Sequence, residues 1–209
     1  MGKIKAILFD MDGVLIEAKD WHYEALNKAL DLFGYKITRT EHLTSYDGLP
    51  TSTKLKRLSA EKGLPEKLHS FINEMKQQYT VEIIHNQCRP RFNHEFALSK
   101  LKAEGYRIAC CSNSIRMTIE IMMGYSKLNN YLEFIISNQD VKKPKPDPEI
   151  YMKAIEKMGL QPNECLIVED NENGIKAALA SGGHLLAVKD VNDVNYTNII
   201  KRMAEVEGD

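Results

Sequence analysis

Apolar positions along this chain repeat with two different periods. At the start, Lys3-Ile4-Lys5-Ala6-Ile7-Leu8-Phe9 carries an almost continuous apolar run that stops on Asp10-Met11-Asp12-Gly13. Runs of this kind mark strands buried on both faces of a parallel sheet. From residue 16 to 87 the spacing is helical instead. His22, Leu26, Ala29, Leu30 and Phe33 share one helix face ahead of Gly34, and Leu68, Phe71, Ile72, Met75 and Tyr79 share another. Thr40-Glu41 and Ser52 are placed to cap shorter helices, the second stopping near Gly63, and Pro65 suits a first helical turn. No strand pattern interrupts this block.

From residue 88 onward helix and strand alternate. Strands are expected over 106–111, 131–136, 165–168 and 184–188. Helices are expected over 92–101, 115–122, 148–158 and 174–180, with Gly105, Gly124 and Gly159 as stops and Asp147-Pro148 as a start. This order predicts an α/β fold: a doubly wound, mostly parallel, Rossmann-like sheet. The helical block enters just after the first strand. The expected domains are therefore a core of residues 1–15 and 88–209 and an inserted all-helical cap of residues 16–87.

Composition narrows the partners. The 209 residues make one ordinary domain or two small ones, and 43% hydrophobic with 27% charged residues describes a globular chain. Lys+Arg is 28 against Asp+Glu 29, a net charge of -1, which excludes a polybasic nucleic-acid binder and an acidic tail. No 18-residue apolar span or signal-peptide pattern is found, so the expectation is a cytoplasmic protein with no nucleic-acid and no membrane partner. A monomer is expected, with a weak dimer as the alternative. Cys88, Cys110, Cys111 and Cys165 contain no CxxC pair and read as small buried hydrophobes, not as a disulfide frame or zinc site.

The candidate chemistry lies where the strands end. Asp10 and Asp12 follow the first strand, Ser112 and Asn113 the second, Lys143 lies in the loop after the third, and Glu169 and Asp170 follow the fourth. In a parallel sheet these ends open on one edge, where ligands of open α/β sheets bind. Each group alone has a plain explanation: loops are rich in Asp, Ser-Asn makes turns, and single lysines are solvated. Four such groups on one edge argue for a site. Asp10 and Asp12 would repel each other there unless a hard divalent cation such as Mg²⁺ lay between them.

Phe9-Asp10-Met11-Asp12-Gly13-Val14-Leu15, Cys111-Ser112-Asn113-Ser114, Lys143-Pro144-Lys145-Pro146-Asp147-Pro148 and Val168-Glu169-Asp170, with Gly174-Ile175-Lys176-Ala177-Ala178 behind, resemble the four motifs of the haloacid dehalogenase-like hydrolases. The resemblance spans essentially the whole chain and points to the helical-cap subfamily, which includes β-phosphoglucomutase and sugar-phosphate phosphatases. It implies an aspartyl-phosphate formed on Asp10, with Asp12 as general acid and base. It also implies Mg²⁺ held by an Asp10 oxygen, the Asp12 backbone carbonyl and Asp170, and phosphoryl oxygens bound by Ser112, the backbone after it including Asn113, and Lys143. Glu169 is equally readable as a group ordering metal-bound water or as a solvated carboxylate. Asn171 stands where the family commonly has Ser or Thr, and Ile16-Glu17-Ala18 departs from the usual first loop.

In the cap, His22 and Lys54 are the candidates for substrate contact, with Arg57 and Lys76 behind them, and each has at least as strong a claim as a surface or packing residue. The mutase branch carries a cap Arg for a second phosphate. Gly48-Leu49-Pro50-Thr51-Ser52-Thr53-Lys54 has no Arg at the matching place, which favours hydrolysis over mutation, although Lys54 could compensate. The expectation is a Mg²⁺-dependent phosphatase for a small phosphorylated metabolite, a sugar phosphate foremost. A β-phosphoglucomutase-type mutase is the alternative, and a non-catalytic phosphoryl-accepting or binding protein the different-class one. A glycosyltransferase DxD normally lies deeper in its chain. A response-regulator receiver is about 120 residues and lacks a helical insertion.

Overall fold

The computed structural model of the protein describes residues 3–208. Five strands, β1 (Ala6–Phe9), β2 (Arg107–Cys111), β3 (Phe134–Ile136), β4 (Cys165–Glu169) and β5 (His184–Ala187), form a sheet in the order β3-β2-β1-β4-β5. Every pairing is parallel. The helices are α1 (Lys19–Asp31), α2 (Arg39–Glu41), α3 (Thr51–Lys62), α4 (His69–Gln87), α5 (Phe92–Ala103), α6 (Arg116–Tyr125), α7 (Glu149–Lys157), α8 (Glu172–Ala180) and α9 (Tyr196–Gly208). The chain divides into two compact units, one ending at Glu17 and resuming at Arg89, the other Ala18–Cys88. The expected cap limits of 16 and 87 precede these by two residues and one residue.

In the sheet unit β1 is central and apolar on both sides, with Ala6, Ile7, Leu8 and Phe9 all fully buried. Leu8, Ala109, Ile150, Tyr151, Ile167 and Ala178 belong to one core cluster, which seats α7 and α8 on the sheet. Register then does the placing. Phe9 pairs with Cys110 on β2 and with Val168 on β4, so the next residues, Asp10, Cys111 and Glu169, come level at the same sheet edge. Gly13 makes the loop after β1 possible. Its φ of 90° is open to glycine at little cost, and its N–H donates to the Ile16 carbonyl at 2.7 Å.

Several element limits differ from the sequence reading. β3 is three residues long because a 3₁₀ turn takes Asn129–Tyr131. Thr38, not Thr40, caps α2, its side chain accepting from Glu41 N–H while the Glu41 carboxylate accepts from Thr38 N–H. Ser52 lies inside α3, which starts at Thr51 after Pro50. α7 is capped at Pro148, one residue later than expected, with Asp147 Oδ1 just ahead of it accepting from Glu149 N–H at 3.0 Å. α9 is an element beyond those expected, and its buried residues Ile199, Met203 and Val206 repeat at helical spacing.

The helical unit packs Leu26, Leu30, Tyr46, Leu55, Leu58 and Ile72 into its own core. It also buries polar side chains: His22, His42, Lys54, Lys76 and Thr80. His22 Nδ1 lies 3.2 Å from Lys76 Nζ. Arg57, a cap candidate from the sequence, is exposed and engaged within the unit by Glu61 Oε1 and the Ser45 carbonyl. Among the described residues no helix is long and apolar enough to cross a membrane. The four cysteines are buried and unbridged, as expected.

His42 ties stability to pH. Burial first, then Lys54 and His22, lower its pKa to about 4, while Asp47 opposes them. The unfolded chain, with an ordinary imidazole near 6.5, binds more protons between these values. The stabilising contribution is therefore complete above pH 6.5 and lost as pH falls toward 4. A melting-temperature series from pH 7 to 4 is expected to fall less steeply for His42→Phe than for the native chain. Parallel curves would remove His42 from this role.

Candidate active site

The strand-end register concentrates charge at one point. Lys145 Nζ donates to Asp10 Oδ1 at 2.7 Å, to Glu169 Oε1 at 2.6 Å and to the Cys111 carbonyl at 2.8 Å. These three bonds use all three ammonium hydrogens. The lysine is 3% exposed, whereas the side chain of Lys143 is 75% exposed and lies 3.9 Å from Asp147. The expectation for Lys143 is thereby corrected: the cation at Asp10 is Lys145. Both lysines precede a proline, so spacing alone did not separate them.

Asn113 explains why the loop delivers Lys145 rather than its neighbour. Its Oδ1 accepts from Lys145 N–H at 3.0 Å and its Nδ2 donates to the Lys145 carbonyl at 3.2 Å. The Lys145–Pro146 peptide inside this clamp is cis. The Asn113 side-chain amide is thus engaged at both ends by the Lys145 backbone, which leaves substrate contact to the Asn113 backbone, as expected of it. Ser112, also expected at the substrate, is buried. Its N–H donates to the Ile136 carbonyl at 3.0 Å and its Oγ accepts from Ser114 N–H at 3.1 Å.

Glu169 is fully buried, with Lys145 and the Tyr151 hydroxyl both on Oε1 and Asp170 N–H on Oε2 at 3.3 Å. The reading of Glu169 as a solvated carboxylate is corrected accordingly. Asp12 turns to Ser114, whose Oγ donates to Asp12 Oδ2 at 3.0 Å. Ser114 closes the second motif, and the sequence pattern assigns it no role. The bond that would have revealed one links residues 102 positions apart. Ser114→Ala is expected to lower turnover about three- to tenfold by loosening Asp12, with little effect on melting temperature. Unchanged kcat in that variant would show that Asp12 needs no such support. His22 and Lys54, the other substrate candidates, belong to the helical unit and are both buried there.

The electrostatics follow from four carboxylates against one ammonium. Burial, then repulsion from Glu169, holds the Asp10 carboxyl well above its ordinary range; Lys145 opposes, and Asp170 and Asp12 add to the repulsion. Burial works against the charge on Lys145, but Asp10 and Glu169 together outweigh it and keep its pKa above the usual lysine value. Oxygen atoms of Asp10, Glu169 and Asp170 lie within 4.8 Å of one another. An all-oxygen set with excess negative charge fits a hard divalent cation. The Asp12 carboxylate is not in that set.

Comparison with known proteins finds relatives in both sequence and fold. The profile of the haloacid dehalogenase-like hydrolases matches residues 7–188. The chain is 25% identical over 182 residues to a phosphorylated carbohydrates phosphatase of Thermotoga maritima, covering 86% of this chain and 82% of that one. It is 27% identical over 213 residues to a phosphoglycolate phosphatase of Nitrosospira multiformis, covering 97% and 93%. Among solved structures, a β-phosphoglucomutase from Clostridium difficile superposes with a TM-score of 0.85 at 23% identity, covering 99% of this chain and all of the other.

Proposed function

Because the chain belongs to the haloacid dehalogenase-like hydrolases, we propose that it is a Mg²⁺-dependent phosphatase for a small phosphorylated metabolite, a sugar phosphate foremost. The observation that carries this reading is Asp10: a buried carboxylate at the end of the central strand, bonded to Lys145 and grouped with Glu169 and Asp170. Asp10 attacks phosphorus, forming an O–P bond as the ester P–O bond breaks. Asp12, steadied by Ser114, gives its proton to the leaving alcohol. It then takes a proton from the water that attacks phosphorus, the Asp10–phosphate bond breaks, and inorganic phosphate and the original carboxylate result.

Lys145 supplies positive charge where negative charge builds up. The Ser112 Oγ accepts from Ser114 N–H, and its own hydroxyl hydrogen would donate to a phosphoryl oxygen. Asp10, Asp170 and the Asp12 carbonyl would hold Mg²⁺, with Glu169 beside them. When bound, the ion neutralises the repulsion between the nucleophile and the phosphate.

The experiment is phosphate release from a panel of phosphate esters, with Mg²⁺ and after chelation. Hydrolysis of at least one sugar phosphate that stops on chelation is expected. No release from any ester, or equal release without a divalent ion, would defeat the proposal. Including β-glucose 1-phosphate with its 1,6-bisphosphate tests the mutase alternative, which would convert it to glucose 6-phosphate faster than it releases phosphate.

A further inference from the structure

Tyr151 is a large buried group in contact with this site that has no part in the proposed reaction. It sits in α7, fully buried, and its hydroxyl donates to Glu169 Oε1. A buried tyrosine needs some acceptor, so this bond alone would be ordinary. Two further observations make it more than that. The accepting oxygen is the one that Lys145 also uses, and Lys145 Nζ stands over the Tyr151 ring, 4.7 Å from its centroid. One side chain therefore touches both ions of the pair, through its hydroxyl and through its ring face.

The opposite side of Glu169 is just as specific. Gly174, in the first turn of α8, faces the carboxylate so closely that a Cβ there would lie 2.0 Å from Glu169 Cδ and 2.1 Å from each oxygen. A side chain at this position would overlap the carboxylate itself. Asn171 fixes the glycine from the helix start, its Oδ1 accepting from Gly174 N–H at 3.0 Å. Glu169 is thus set between a phenol on α7 and a gap in α8.

We propose that Tyr151 is a positioning residue for the Asp10 centre: with the Gly174 gap it fixes the Glu169 carboxylate, and Glu169 in turn aims Lys145 at Asp10. The chain of dependence is short. The Lys145 ammonium has three hydrogens and three acceptors, so its orientation is set when those acceptors are set. The Cys111 carbonyl is fixed by the sheet. Glu169 is a flexible side chain, and Tyr151 and Gly174 remove that flexibility. A phenylalanine would fill the core space equally well and keep the ring beneath Lys145, so what the tyrosine adds is the hydroxyl bond.

The test uses the full chain with Tyr151→Phe, Gly174→Ala and the double variant. The kinetic arm rests on the phosphatase reading; the spectroscopic arm does not. Tyr151→Phe is expected to lower kcat about tenfold with KM within about twofold, in the range usual for groups that orient active-site ligands. Gly174→Ala should lower kcat at least as much, by displacing the same carboxylate from the other side. Because both act through Glu169, the double variant should lose little more than the worse single one. In ¹H–¹⁵N spectra the Lys145 ammonium signal should shift or vanish in both variants while amide signals away from Glu169 stay in place. If one variant fails to fold, the other carries the same tests.

An unchanged ammonium signal with native kcat in Tyr151→Phe would overturn the proposal. So would single losses that multiply in the double variant, or a loss accompanied by changes across the spectrum, which would mark a packing role. If the native chain hydrolyses no ester, the phosphatase reading fails and the ammonium signal alone decides this one.

Discussion

Asp10→Asn is expected to reduce kcat/KM for the best phosphate ester by on the order of 10⁴-fold or more, since it removes the nucleophile that divides the displacement into two steps. The fold should survive. The asparagine amide has the same shape, and its oxygen can still accept from Lys145, which keeps Glu169 as its counter-ion. Stability should respond to Mg²⁺ in a way that separates the two proteins. In the native chain burial and the neighbouring carboxylates disfavour ionised Asp10, so a cation that binds only the folded state should raise the melting temperature. In Asp10→Asn that response should be much smaller, and in chelator the variant should melt no lower than the native protein by more than a few degrees. Near-native phosphate release by Asp10→Asn would remove this residue from its role. An equal Mg²⁺ response in both proteins would move the metal site elsewhere.

The second large effect concerns two neighbouring lysines. Lys145→Met is expected to lower kcat by about 10²- to 10³-fold, the usual loss when a donor to the developing charge is removed. It should also destabilise the fold, because Asp10 and Glu169 would be left buried without their cation. Breaking a buried pair in this way costs about 3–5 kcal/mol, which corresponds to roughly 10 °C in melting temperature for a chain of this size. Lys143→Met should change neither quantity measurably, its side chain being mostly in solvent and loosely paired with Asp147. Thermal denaturation and phosphate release on the two variants side by side settle the assignment. A loss in Lys143→Met with native behaviour in Lys145→Met would reverse it.

The amino-acid sequence alone determined the architecture and most of the acidic site. Continuous apolar runs ending on polar groups can be read locally, because a strand buried on both faces cannot tolerate polar residues until it leaves the sheet. Asp10 and Asp170 follow from that, as does the helical insertion with its different period.

What only the tertiary structure decided is which of several similar groups points inward. In Lys143-Pro144-Lys145-Pro146 the two lysines have the same local surroundings, and the choice is made by Asn113, 32 residues earlier, which grips the Lys145 backbone from both sides. Glu169 could not be told from a solvated carboxylate until Lys145, Tyr151 and the Gly174 gap were seen around it. Ser114 gained a purpose only beside Asp12. The physical reason is common to all three. Burial and hydrogen bonding at this site come from side chains on different strands and helices, and periodicity carries no record of which residues meet across the sheet edge.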